Sequence, residues 1–236
     1  MTKNTGDIPA CTECGNKDSI FCCLSYNEKE VLSTNKSGNF FKKGQVIFYE
    51  NNYPHGFYCI HKGKVKISKI GNEGKEQVVR FATTGELLGY RSVFSGEAYQ
   101  ATATAMEDSY VCHISSDSFY KVLKMDNKLS LDVIKLLSSD LKSSEQKVIN
   151  ISQKSVKERI AETLLLIKNK FGCEDDGKTL SATLTRTEIG DIAGTTTETT
   201  IRTLSLLKKE GALNLEGKKI IINNLNQLIR AANIMD

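Results

Sequence analysis

Three features of this 236-residue sequence predict an α+β chain with an N-terminal jelly-roll β domain, a long dimerisation helix and a C-terminal winged helix-turn-helix domain. Short runs of alternating apolar and polar residues, broken by glycine turns, fill Phe40 to Ile114. A stretch free of glycine and proline follows from Ser118 to Asn150, its apolar residues recurring at helical spacing. Two capped helical segments then flank Gly194, ahead of a hairpin signal at Glu216-Gly217.

The β domain is read from VIFYE, GFYCIHKGKVKISKI and EQVVRFATTG, separated by turns such as GNEGK (Gly71 to Lys75). This spacing suits a jelly roll or small barrel, with Gly56, Gly63 and Gly85 at strand ends where tight turns need them. In the next stretch Ile134, Leu137, Leu141, Val148 and Ile151 form a heptad seam on one long helix, with Ser144 in the skipped place. A seam this short serves either packing on its own β domain or a dimer interface, and the segment that follows favours the dimer. The expected boundaries are 1–24 for a cysteine-containing N-terminal segment, 25–120 for the roll, 121–152 for the dimerisation helix and 153–236 for the last domain.

That last domain opens with VKERIAETLLLIKNKFG, whose apolar stripe runs through Val156, Ile160, Leu164, Ile167 and Phe171 and stops at Gly172. Thr185 and Glu188 form a capping box that starts a short helix ending near Ala193. Gly194 permits a sharp turn, and Thr195 or Thr196 caps a second helix reaching about Glu210. Ile189, Ile192, Ile201 and Leu204 are expected to pack between the two helices, and ALNLEGKKIIIN supplies a β wing. The second helix offers Thr196, Thr197, Glu198, Thr200 and Arg202 in its first turns. Hydroxyls and a helix N-terminus donate to phosphates, Glu198 can accept from a cytosine amino group, and Arg202 can grip guanine bidentately. The same Glu and Arg also make an ordinary surface pair at i,i+4 spacing. Within a complete helix-turn-helix and wing, base recognition is the preferred reading.

Composition bounds the partners. The hydrophobic fraction of 39% and charged fraction of 25% suffice for two modest cores. No run of eighteen apolar residues exists and MTKNTGDIPA has no apolar leader, so no membrane span or secretory signal is expected and the predicted location is cytoplasmic. A net charge of +4 is only mild support for a polyanionic partner. Among seven cysteines, four fall between Cys11 and Cys23, and in the cytoplasm clustered thiols are read as ligands or redox groups before disulfides. No glycine-rich phosphate loop, H-x-x-x-H or G-x-S-x-G is present, so an enzyme is not expected. The competing class is a β-roll binding module whose helical tail mediates protein contacts, distinguished by affinity for duplex DNA under varied salt.

Three stretches resemble the Crp/Fnr family of bacterial transcription regulators: FFKKGQVIFYENNYPHGFYCIHKGKVKI, KEQVVRFATTGELLG and TRTEIGDIAGTTTETTIRTLSLLKKEGAL. The resemblance implies a homodimer that binds palindromic sites on double-stranded DNA, with RNA polymerase as a further partner and Arg186, Thr196, Thr197, Glu198, Thr200, Ile201 and Arg202 at the DNA. Ile201 stands where members often carry Ser or Gly, and an apolar group there suits a thymine methyl. Cyclic AMP binders of the family hold the ribose with a Glu and the phosphate with an Arg-Ser pair. Here Tyr90 and Gln100-Ala101 occupy those places, so the phosphate lacks its cation unless nearby Arg91 supplies one, and cyclic nucleotide sensing is not expected.

Oxygen-sensing members ligate a [4Fe-4S] cluster with three N-terminal cysteines and one from the roll. In that likeness Cys112, within AMEDSYVCHISSDSF, matches the distant ligand and Cys11-x2-Cys14 the first two, while Cys22 or Cys23 lies two or three residues too far along for the third. Four thiolates suffice for a cluster, zinc would accept the same set, and Cys112 and Cys59 also read as small apolar strand residues. His55, His61 and His113 form no ligand pattern. The expected signal is redox, gas or a metal cluster, the alternative being a small ligand in the roll with no metal.

Overall fold

A computed structural model describes residues 8–71, 74 and 76–234. The predicted absence of a leader in the first seven residues, and Asn72, Glu73 and Lys75 of the GNEGK turn, lie outside the described residues. The chain forms two compact units, one mainly of residues up to Asp140 and one mainly from Leu141 onward.

The first unit runs α1 (Tyr26–Thr34), β1 (Lys36–Phe41), β2 (Val46–Phe48), β3 (Gly56–Lys62), β4 (Lys64–Ile70), β5 (Glu76–Thr83), β6 (Leu87–Leu88), α2 (Tyr90–Ser95), β7 (Thr102–Ala105), β8 (Ser109–Ser115) and α3 (Ser116–Met125). Its strands make two four-stranded sheets, in the orders β1-β8-β3-β6 and β2-β7-β4-β5. Strand periodicity sorts the side chains into two cores. Tyr58, Ile60 and Val111 face the space between the sheets with Phe48, Val65, Leu88 and Ala103. Phe57, Cys59, Cys112 and Ile114 face the other way, under Phe21, Leu24, Leu32 and Phe119. Gly63 and Gly85 take left-handed backbone at turns as expected. Gly56 does not: it is required by close approach, since a Cβ there would stand 2.1 Å from the Ile114 carbonyl oxygen.

The expected single helix from Ser118 is broken at Asp126, whose extended backbone ends α3. The Asp126 carboxylate then accepts from the Lys128 amide at 2.8 Å, capping α4 (Asn127–Gln153). Along α4, Leu129 and Val133 are buried in the outer core of the roll, with Leu136 and Leu137 packed against it. Leu137 is therefore shared with the roll rather than being purely a seam residue. Ile134, Leu141, Val148 and Ile151 are 58%, 61%, 68% and 60% exposed.

The second unit continues with α5 (Val156–Phe171), α6 (Arg186–Ala193), α7 (Thr197–Lys209), β9 (Leu213–Glu216), β10 (Lys219–Ile222) and α8 (Leu225–Ala231). Ser155 and Glu158 box the start of α5, and Gly172 ends it. Ile160, Leu164, Ile167, Ile189, Leu204, Leu207 and Leu228 are buried there. β9 and β10 pair antiparallel as the predicted wing.

Candidate functional site

The helix-turn-helix forms where its caps placed it. Thr185 accepts from Glu188 N–H and Glu188 reaches back, starting α6, and Gly194 takes a left-handed φ of 64° at its end. The Thr196 hydroxyl accepts from Thr199 N–H at 3.2 Å to start α7. Arg159 of α5, which has no distinctive sequence signal, braces this turn. Its guanidinium donates to the carbonyls of Lys154 (2.7 Å), Ala193 (2.7 Å) and Gly194 (3.2 Å).

Glu198 and Arg202 are exposed, one turn apart, and among the described residues neither enters an ion pair. Their charges are open to an external partner. Thr196 is exposed, and the Thr197 hydroxyl meets that of Thr187 at 3.1 Å. Two expectations are corrected. Thr200 is fully buried, its hydroxyl donating to the Thr196 carbonyl at 2.9 Å, so it packs the motif instead of facing DNA. Ile201 is 50% exposed on the outer face and does not fill the space between the helices. Arg186 is half-buried and donates to the Gly217 carbonyl at 3.0 Å, tying α6 to the wing turn.

α6 and α7 approach each other tightly at Gly190. A Cβ there would lie 2.7 Å from Thr200 Oγ1 and 3.1 Å from the Thr195 carbonyl oxygen. Gly190→Ala is expected to destabilise the C-terminal unit by about 1–3 kcal/mol through overpacking, measured as a lower denaturant midpoint for that unit.

On the outer face of the roll the sequence-predicted thiols divide. Cys11, Cys14, Cys22, Cys59, Cys112 and His61 line one small cavity. Cys14 Sγ lies 3.7 Å from His61 Nδ1, and Cys11 N–H donates to Ser33 Oγ at 3.0 Å. Cys23 is not part of this cavity. It is exposed, 3.2 Å from Cys22 Sγ, and this contact raises the Cys22 pKa. Burial pushes Cys59 up to about 12 and Cys112 up to about 11. Both stay protonated at neutral pH and are poor nucleophiles as they stand.

Four of these five thiols would suffice for a thiolate-held iron-sulfur cluster, and Lys29 and Lys36 beside them suit its negative charge. The space is small, at about 30 Å³, and among the described residues no three donors stand together ready for one ion. The covering segment, residues 11–23, consists of turns and irregular backbone. Sequence reasoning treated Cys59 and His61 as incidental, although alternation along FYCIHK places Phe57, Cys59 and His61 on one face.

The nucleotide-type region of the roll is built for packing. The Tyr99 ring stacks on Phe48 with centroids 4.0 Å apart, and a Cβ on Gly89 would meet that ring at 2.8 Å. Arg91 is held by Asp140 at 2.9 Å, and the same carboxylate accepts from the Tyr90 hydroxyl. Gln100 turns back to the Ala98 carbonyl. Titration with cyclic AMP is expected to give no saturable heat, because Tyr90 and Gln100 stand where the ligand's partners are needed and Arg91 is held by Asp140; micromolar binding would contradict this. A separate open cavity of about 690 Å³ is lined by Phe48, Tyr49, Tyr53, Tyr58, His55 and His113 among others.

A β-roll carrying a helix-turn-helix with an open recognition face and a wing defines a DNA-binding transcription regulator, not an enzyme. Residues 39–126 match the cyclic nucleotide-binding domain, residues 158–231 match the Crp-like helix-turn-helix domain, and the chain belongs to the Crp/Fnr family. It is 30% identical over 189 residues to the anaerobic regulatory protein of Haemophilus influenzae, covering 80% of this chain and 73% of that one. Regulatory protein HlyX of Actinobacillus pleuropneumoniae is 26% identical over 235 residues, 96% of each chain. The solved structure of FixK2 from Bradyrhizobium japonicum aligns with a TM-score of 0.75 at 23% identity, over 85% of this chain and 99% of that one.

Proposed function

We propose that this regulator is a cytoplasmic homodimer that binds palindromic DNA, acts with RNA polymerase, and is controlled by a redox, gas or metal-cluster signal at its N-terminal thiols. The observation that carries the sensor reading is the convergence of Cys11, Cys14, Cys22, Cys59 and Cys112 on one cavity. Dimerisation is supported by the exposed positions Ile134, Leu141 and Val148, spaced by one heptad each along α4. An apolar stripe of that length on a soluble chain calls for a covering surface, and a second copy supplies an identical one. Leu141→Asp is expected to shift the protein to monomer in sedimentation and to abolish operator binding.

The proposed route from signal to DNA follows contacts within each unit. Cys59 and Cys112 share their hydrophobic cluster with Leu129 and Val133 of α4, so a change at the thiols bears on the root of that helix. Farther along, Asn150 donates to the Glu162 carboxylate of α5 at 2.8 and 2.9 Å, and Arg159 of α5 grips the helix-turn-helix turn. The signal needs only to favour one dimer arrangement by about 1–3 kcal/mol. When bound, an iron-sulfur cluster would supply oxidation-sensitive chemistry, with the chain's thiols as the residues that would hold it.

The test is anaerobic purification with iron, sulfide and zinc analysis, followed by operator binding before and after exposure to air. Iron- and sulfide-loaded protein whose operator affinity changes in air supports the reading. Metal-free protein with identical affinity in both states overturns it. The second reading, a metal-free regulator with a small ligand in the roll, is favoured by the 690 Å³ cavity, whose aromatic, carboxamide and imidazole lining suits an uncharged ring compound.

A further inference from the structure

Resting on the metal-sensor reading, we propose that Cys59 is the fourth thiol ligand, giving a set of Cys11, Cys14, Cys59 and Cys112 that leaves Cys22 and Cys23 outside. Cys59 of β3 and Cys112 of β8 are direct partners across the antiparallel pair, between Tyr58↔His113 and Ile60↔Val111. Directly opposed residues project from the same face of a sheet with Cβ atoms about 4.5–5.5 Å apart. The sheet therefore holds two thiols side by side in a fixed relation, as a metal site built on strands requires.

The other two thiols come from above. Cys11 and Cys14 line the same cavity, and Cys14 contacts His61, which shares the face of β3 with Cys59. Cys14 thus sits over the strand that carries Cys59. Ser19 of the covering segment also reaches Cys59, Oγ to Sγ at 4.0 Å. The set is two plus two: a Cys-x2-Cys pair on the covering segment and a cross-strand pair on the sheet.

The alternative third ligands are placed less well. Cys23 is exposed and outside the cavity, and Cys22, which does line it, is itself exposed with its sulfur 3.2 Å from that of Cys23. The distance in sequence from Cys14 to Cys22, awkward for a single binding turn, ceases to matter when the ligand is supplied by β3.

The test uses full-length protein reconstituted anaerobically with ferrous iron and sulfide, read by iron and acid-labile sulfide per chain and by visible absorption. A variant combining Cys22→Ser, Cys23→Ser and Cys173→Ala keeps only the four proposed thiols and is expected to load as fully as wild type. Cys59→Ala, shown folded by circular dichroism, is expected to lose iron, sulfide and visible absorption. Loss of loading in the triple variant overturns the assignment even if Cys59→Ala fails to fold, and so does full loading of a folded Cys59→Ala protein. Wild type that takes up neither iron and sulfide nor zinc overturns the sensor reading itself, and this assignment with it.

Discussion

Arg202→Ala is expected to weaken binding to a palindromic operator by about 1–3 kcal/mol per half-site, about 2–6 kcal/mol for the dimer. Arg202 lies on the outer face of α7, one turn beyond Glu198, and forms no ion pair among the described residues. A guanidinium with no ion pair there is free to make a bidentate contact to guanine, and in the proposed reading Glu198 would accept from cytosine on the same face. Competition titrations at fixed salt across half-site variants measure the effect. Loss concentrated at one base-pair position in each half-site is the expected pattern. A uniform loss on all sequences, with a shallower salt dependence, assigns Arg202 to the phosphate backbone instead.

Phe57→Ala is expected to cost the roll about 3–5 kcal/mol, the range for a large aromatic deleted from a core that collapses only partly. The ring is fully buried, edge-on to Phe119 with centroids 4.6 Å apart, and stacked against Phe21 at 6.1 Å. Phe21 belongs to the covering segment, so the same substitution loosens the lid over the thiols. Native-state hydrogen exchange at the β3 and β8 amides reports the stability loss, and faster alkylation of Cys11 and Cys14 reports the lid. Protection within about 1 kcal/mol of wild type would contradict the assignment of Phe57 as the anchor of the outer core.

The parts of the fold legible in the sequence are those fixed by neighbours along the chain. Thr185 with Glu188, Gly194 and Thr196 are capping and turn signals that act within a few residues, and each does in the structure what its chemistry implies. Periodicity outweighs residue type at Thr200: its hydroxyl suits a phosphate, yet it shares a buried stripe with Thr203, Leu204 and Leu207 at three- and four-residue spacing. Ile201, one position on, turns outward for the same geometric reason. The break at Asp126 was also readable, as an acidic cap two residues before the amide it accepts.

The order of roll, long helix and winged helix-turn-helix, and the exposed face of α7, follow from the sequence by itself, because caps, glycine turns and alternation operate over one or two turns of chain. Which thiols meet does not. Cys59 and Cys112 are opposed only through the register of β3 on β8, and Cys11 and Cys14 reach them only because Phe21 and Leu24 dock on the outer face of that sheet. Side-chain burial on a packed surface selects those partners across more than forty residues of chain, over which spacing carries no information, and so the tertiary structure alone decides which thiols share the cavity.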